Sequence, residues 1–143
     1  MAYKANDFDK LRQSGENLLQ DLNQAFNENL GYNSKTVVWL DQYISKIRET
    51  TPEEYDENLA GAIGYILGQS IIEEYAGEWK YDDKYNQWVV DIGKPIGIAN
   101  PIGKVEKYFF DYLDSINGFF EIIALVKQNG SFDIGKAGSE LQS

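Results

Sequence analysis

The chain contains no cysteine and no histidine. Without cysteine there can be no disulfide, no thiolate nucleophile and no Cys-ligated zinc, and the absence fits a reducing compartment, so a cytoplasmic protein is expected. Without histidine the commonest general base and the commonest metal ligand are missing too. The two absences together exclude Ser-His-Asp and Cys-His catalysis and every ordinary zinc site. A long hydrophobic run is also lacking. Residues 59–72 are the most apolar stretch, but Gly68, Gln69 and Ser70 interrupt it, and it falls short of the roughly 20 residues that a membrane span needs. The first seven residues turn polar at once and lack the apolar core of a signal peptide. Bases are scarce, thirteen in all and never densely clustered, so there is no basic face to neutralise phosphates and nucleic acid is not an expected partner.

What is present is a core. With 43% hydrophobic and 14% aromatic residues, the chain is too rich in core formers to be a disordered acidic polypeptide. A length of 143 residues accommodates one domain. Phe8, Leu11, Leu18, Leu19, Leu22, Phe26 and Leu30 recur at helical spacing, which predicts a helix over about residues 7–30 ending at Gly31. Val37, Trp39, Leu40, Tyr43, Ile44 and Ile47 mark a second helix with Ser34 as its N-cap. Thr51-Pro52-Glu53-Glu54 reads as the start of a third, with Thr51 capping and Pro52 in the first turn, and this helix runs to about Tyr75.

Gly77 breaks the helical pattern. Trp79 and Tyr81, then Trp88, Val90 and Ile92, alternate on either side of Asp82-Asp83-Lys84-Tyr85-Asn86, which predicts a hairpin with an acidic turn. A third strand over residues 96–99 completes a meander, because a lone hairpin is marginal. Asn100-Pro101 supplies a cap and a first-turn proline for a helix whose apolar face is Val105, Tyr108, Phe109 and Tyr112. The last helix starts near Asp114-Ser115 and stops by Gly130. The predicted class is therefore α+β: three N-terminal helices, a small three-stranded antiparallel β-meander and two C-terminal helices. Residues 1–130 are expected to form one domain and residues 131–143, rich in Gly and Ser, a flexible tail.

The charge is uneven. Residues 49–91 hold eleven acids against two bases, a balance of -9 out of the chain's -10. A concentrated negative field attracts cationic partners and speeds their encounter. Helix-start and turn chemistry accounts for part of it, since carboxylates favour helix N-termini and Asp and Asn favour turns. The excess is Glu73, Glu74, Glu78, Asp82 and Asp83, and with Tyr85 in the hairpin turn these are the candidate partner-binding residues. Trp79 and Trp88 are assigned instead to cross-strand aromatic pairing.

Other patterns have structural readings. Gly61, Gly64 and Gly68 lie near one side of the third helix, each at a loss of about 1 kcal/mol of helix propensity relative to alanine. Close approach of another backbone is the expected compensation, and a dimer seam or ligand groove the alternative. Asp82 and Asp83 with Glu78 or Asp91 offer oxygen ligands for calcium, but the spacing matches no EF-hand loop, so no metal is expected. No catalytic residues and no cofactor are assigned, because with twenty-three acids a coincidental carboxylate pair is always available.

Four blocks, in order and spacing, resemble a small bacterial domain family of unknown function: Trp39-Leu40-Asp41-Gln42-Tyr43-Ile44; Leu67-Gly68-Gln69-Ser70-Ile71-Ile72 with Gly77-Glu78-Trp79; Asn100-Pro101-Ile102-Gly103-Lys104-Val105; and Asp114-Ser115-Ile116 with Phe119-Phe120. Where the family pattern carries a glutamate after the glycine, this chain has Gln69. The resemblance implies a helix-sheet-helix domain and brings no established catalytic residue. By analogy with small acidic domains that neutralise toxins, the expected function is non-enzymatic: an immunity-type inhibitor that docks on a basic, nucleic-acid-acting toxin. The alternative is a housekeeping or structural domain, a homodimer whose acidity serves solubility.

Overall fold

The computed structural model describes residues 3–110 and 115–129. The elements run α1 (Phe8–Phe26), α2 (Ser34–Thr50), a 3-10 turn (Pro52–Glu54), α3 (Glu57–Tyr75), β1 (Glu78–Asp82), β2 (Gln87–Gly93), β3 (Gly97–Ala99), α4 (Pro101–Phe110) and α5 (Ile116–Asn129). The class is α+β, with three helices before the antiparallel sheet β1-β2-β3 and two after it. Tyr112 and Asp114, and the tail at 131–143, lie outside the described residues.

Local signals set most of these boundaries, with three corrections. The first helix stops at Phe26 rather than near residue 30, because Asn27 takes a left-handed conformation (φ 53°) that a short polar side chain tolerates. Leu30 still reaches the core, from a loop that Asn23 clamps: its Oδ1 accepts from the Leu30 N–H at 2.7 Å and its Nδ2 donates to the Leu30 carbonyl at 3.1 Å. The second helix is capped by Asn33, whose Oδ1 accepts from the Thr36 N–H at 3.0 Å, not by Ser34. The third begins at Glu57, capped by Asp56 through the Leu59 N–H at 2.8 Å. Thr51 makes no side-chain cap bond, and Thr51-Pro52-Glu53-Glu54 forms only the 3-10 turn, since Tyr55 is extended and breaks it from α3. Further along, the Asn100 Oδ1 accepts from the Gly103 N–H and the Ser115 Oγ from the Gly118 N–H, capping α4 and α5.

α3 is the central element, buried almost without interruption from Ala60 to Ser70. Its glycines are where other parts of the same chain come close. A β-carbon on Gly61 would meet the Tyr3 ring, one on Gly64 would lie 2.7 Å from the Ile102 Cα in α4, and one on Gly68 would meet the Trp79 indole of β1. Another backbone approaches only at Gly64, and it is that of α4 rather than of α1 or the sheet; at Gly61 and Gly68 the space is taken by aromatic side chains, so all three places are filled from within the chain. The main core gathers α2, α3, α4, α5 and the sheet around Leu40, Ile44, Ile63, Ile66, Ile116 and Ile123. A smaller one joins Tyr3, Leu11, Tyr65 and Ile102.

β1 and β2 pair in regular antiparallel register from Glu78↔Asp91 to Asp82↔Gln87. This puts Trp79, Tyr81 and Trp88 on one face of the sheet. The cross-strand aromatic pair is Tyr81 with Trp88, opposite one another with ring centroids 5.7 Å apart, whereas Trp79 faces Val90. Trp79 instead stacks on Tyr65 of α3 (5.5 Å, 5° between planes) and donates its indole N–H to the Gln69 Oε1 at 3.1 Å. Trp88 lies 4.8 Å from Phe8 and donates to the Lys4 carbonyl. One face of the hairpin is thus pinned to α1 and α3.

Candidate partner-binding surface

The six candidate residues separate into two groups. Glu73 and Glu74 lie in the last turn of α3, with Glu78 three residues beyond Tyr75 at the start of β1, and all three are exposed. Asp82, Asp83 and Tyr85 sit at the other end of β1, four strand steps or about 13 Å further on. The Asp82 Oδ1 accepts from the backbone N–H groups of Lys84 (2.8 Å) and Tyr85 (3.3 Å), so this carboxylate closes the turn. Tyr85 is half-buried, with the Lys84 ammonium 5.7 Å from its ring centre. Asp91 is held by Lys80 at 3.1 Å, a bond that, with the Gly93 N–H, keeps its carboxyl below the usual range. Among the described residues no three acids are placed to share a metal ion.

The group at the α3 terminus has the stronger electrostatic case. The C-terminal end of a helix carries the negative pole of its dipole, where cations are stabilising and anions are not. α3 nevertheless ends Glu73-Glu74-Tyr75 with no base in its last turn. Among the described residues neither glutamate, nor Glu78, nor Asp83 forms an ion pair. Beside them opens a groove of about 450 Å³ between α2, α3 and α5. Its floor is the Tyr75–Phe120 ring pair, 5.1 Å between centroids, and its walls include Val38, Lys35, Glu74 and Glu121. Burial raises the Tyr75 phenol's pKa, with Glu74 and then Glu121 adding to it, so both carboxylates act on the same aromatic. The hairpin end has its own acids: Glu106 lies beside Gln87 and Glu57, and burial, reinforced by Glu57, raises its pKa.

Two features escaped the sequence reading. Trp39, Tyr43 and Phe26, all assigned to helix core stripes, form a cluster at the surface around a cavity of about 190 Å³, with Trp39 stacked on Tyr43 at 5.4 Å and Phe26 still 46% exposed. The available signal was rotational: Trp39 and Tyr43 each precede the buried Leu40 and Ile44 by one residue, a step of 100° around the helix. The second is a bond of long reach, from the Asn117 N–H to the Asp41 Oδ2 at 3.1 Å, for which no local pattern exists.

Six tyrosines share one electrostatic character. Burial is the largest cause in every case, and it pushes the phenols of Tyr43, Tyr55, Tyr65, Tyr75 and Tyr108 up and that of Tyr32 to about 12. A phenol is neutral when protonated. A folded value above the free value of about 10 therefore adds stability that is whole below pH 10 and lost as the pH rises through the folded values. With no histidine or cysteine to titrate, thermal unfolding should have nearly the same midpoint at pH 7 and pH 9 and fall steeply above about pH 10. Melting curves across that range test this, and a midpoint flat to pH 12 would refute it.

No family model, curated protein or solved structure matches this chain.

Proposed function

We propose that this chain is a non-enzymatic protein-binding domain that receives a basic partner on the groove between α2, α3 and α5, beside Glu73, Glu74 and Glu121. The observation carrying the proposal is the pair Glu73 and Glu74, at the negative end of α3 with no base in its last turn and, among the described residues, no ion pair, beside the Tyr75–Phe120 floor. An arrangement that opposes the helix dipole gives the fold nothing. It does suit a lysine or arginine of a partner, whose stem would lie on the aromatic floor while its head meets Glu74 and Glu121. Aromatic anchors inside a charged rim are a recurrent interface composition. In its concrete form the reading is an immunity-type inhibitor, cytoplasmic, acting on a basic toxin that attacks nucleic acid, and this form rests on analogy with small acidic domains that neutralise toxins.

The test uses the protein encoded next to this chain in its genome, co-expressed and titrated at about 50 and 500 mM salt. Electrostatic association between exposed charges weakens as the screening length shrinks from about 14 to 4 Å. The expected result is a basic, growth-inhibiting neighbour that this chain neutralises, with an association rate about tenfold slower at high salt. The triple variant Glu73→Gln, Glu74→Gln, Glu121→Gln should slow association similarly without lowering the melting temperature. A neighbour that neither inhibits growth nor binds removes the immunity reading. A stable homodimer with no such partner favours the structural alternative.

A further inference from the structure

β1 is an outer strand. β2 pairs on one side of it, and among the described residues no strand lies on the other. Among the described residues no backbone group outside the hairpin bonds to it, so alternate N–H and C=O groups along this edge face outward, a template for another strand. Edges of this kind are ordinarily blunted by proline, a bulge or dense lysine. Here there is no proline, and the register is regular over all five residues. The single lysine, Lys80, is engaged across the strand by Asp91. Trp79 and Tyr81 are anchored against Tyr65 and Trp88, so the strand is already held straight before anything binds. What guards the edge is negative charge, with Glu78 at one end and Asp82 and Asp83 at the other.

The charge pattern selects the occupant. A second copy pairing along all five residues about a two-fold axis would set Glu78 opposite Asp82 and Lys80 opposite Lys80, like charges at every charged pair. Two-fold registers that put Lys80 against an acid pair only three residues. A basic strand meets no such conflict. We infer that the free edge of β1 is a strand-addition site for an extended basic segment, with Lys or Arg at two positions four apart to face Glu78 and Asp82, a neutral polar residue between them opposite Lys80, and apolar β-branched residues opposite Trp79 and Tyr81. The inference deepens the reading above, from which it takes the basic character of the partner, but it concerns a different surface from the groove between α2, α3 and α5.

The probe is a capped heptapeptide, Ser-Lys-Val-Thr-Val-Lys-Ser, titrated into the full chain and read by amide exchange and chemical shift. The expected result is saturable binding with about tenfold slower exchange in β1. Affinity should fall about tenfold for the peptide with both lysines replaced by glutamate, and for one of the two frames in which alternate peptide amides are N-methylated. Unchanged exchange in β1, or equal binding by both N-methylated frames, overturns strand addition while leaving the groove reading intact. Equal affinity for the glutamate peptide overturns the basic specificity, and a dimer that the peptide dissociates assigns the edge to a second copy instead. If the genomic neighbour fails to bind but the peptide pairs with β1, the immunity reading falls and the strand-addition site stands.

Discussion

Replacing Gly64 by alanine should destabilise the protein by roughly 1–3 kcal/mol, although alanine is the better helix former by about 1 kcal/mol. The reason is distance. An added β-carbon would stand 2.6 Å from the Ile102 Cγ1 and 2.7 Å from its Cα, and the second of these is main chain of α4, which cannot turn aside as a side-chain tip can. Ile102 is itself fully buried, so relief requires α4 to move away from α3 and open the core on both sides. At roughly 4 °C per kcal/mol for a chain of this size, the melting temperature should drop by about 4–12 °C. Gly118 in α5 is the control. Its β-carbon would approach only the Ser115 hydroxyl, at 3.1 Å, and Gly118→Ala should not lower stability, the helix preference of up to about 1 kcal/mol being set only against a small shift of that side chain. Equal melting temperatures for the Gly64 variant and the parent would show that α3 and α4 do not approach as described.

Asp41→Ala should remove about 3 kcal/mol. The Asp41 Oδ2 accepts from the Asn117 N–H in the first turn of α5, one of the amides that a helix leaves without an internal partner, and it brings negative charge to the positive end of that helix. The same carboxylate bonds the Tyr108 hydroxyl of α4. Two turns on, Arg48 donates from Nη1 to the Tyr108 carbonyl at 2.6 Å, and its guanidinium lies 4.8 Å from the Tyr108 ring. α2 therefore carries the ties that hold the end of α4 and the start of α5. Removal of Asp41 leaves an amide and a largely buried hydroxyl without their acceptor, whereas Asp41→Asn keeps an acceptor oxygen and should lose about half as much. Chemical denaturation gives the magnitude. Hydrogen exchange gives the place, with the amides at 116–118 expected to accelerate first. A loss below about 0.5 kcal/mol would make the Asn117 bond incidental.

Interaction in a cell would be read differently from these stability effects. Glu73, Glu74, Glu78, Asp83 and Glu121 are exposed and carry little of the fold, so their neutralisation should leave melting behaviour unchanged while altering association. Asp82 is the exception, because its carboxylate holds the hairpin turn and should not be used to probe binding.

The features legible in the chain were those whose cause lies within a few residues. Tyr75 ends α3 because Ala76 and Gly77 follow with positive φ, Asn100 caps α4 through the amide three residues on, and the alternation around Asp82–Asn86 sets the hairpin. The start of α2 erred between adjacent residues of similar capping chemistry, Ser34 for Asn33, and that of α3 by five residues, Thr51 for Asp56, because a separate 3-10 turn intervenes; only the fold decides which side chain faces the open amide. Helical periodicity marked Trp39 and Tyr43 as apolar-face residues but could not separate the half of the stripe that meets α3 and α5 from the half left beside Phe26 at the surface.

By itself, the order of amino acids determined the class, the succession of elements, the sign and position of the charge, and the chemistries excluded by the missing cysteine and histidine. Each follows from composition or from bonds spanning a turn of chain. Tertiary structure alone decided which elements approach at the α3 glycines, and that Asp41 ends on α5. It also brought Glu74 and Glu121 to one groove and left β1 with an edge that no other strand among the described residues pairs. Those outcomes depend on lateral packing between segments up to 76 residues apart, whose free energy is shared over many contacts and leaves no periodic mark in either segment.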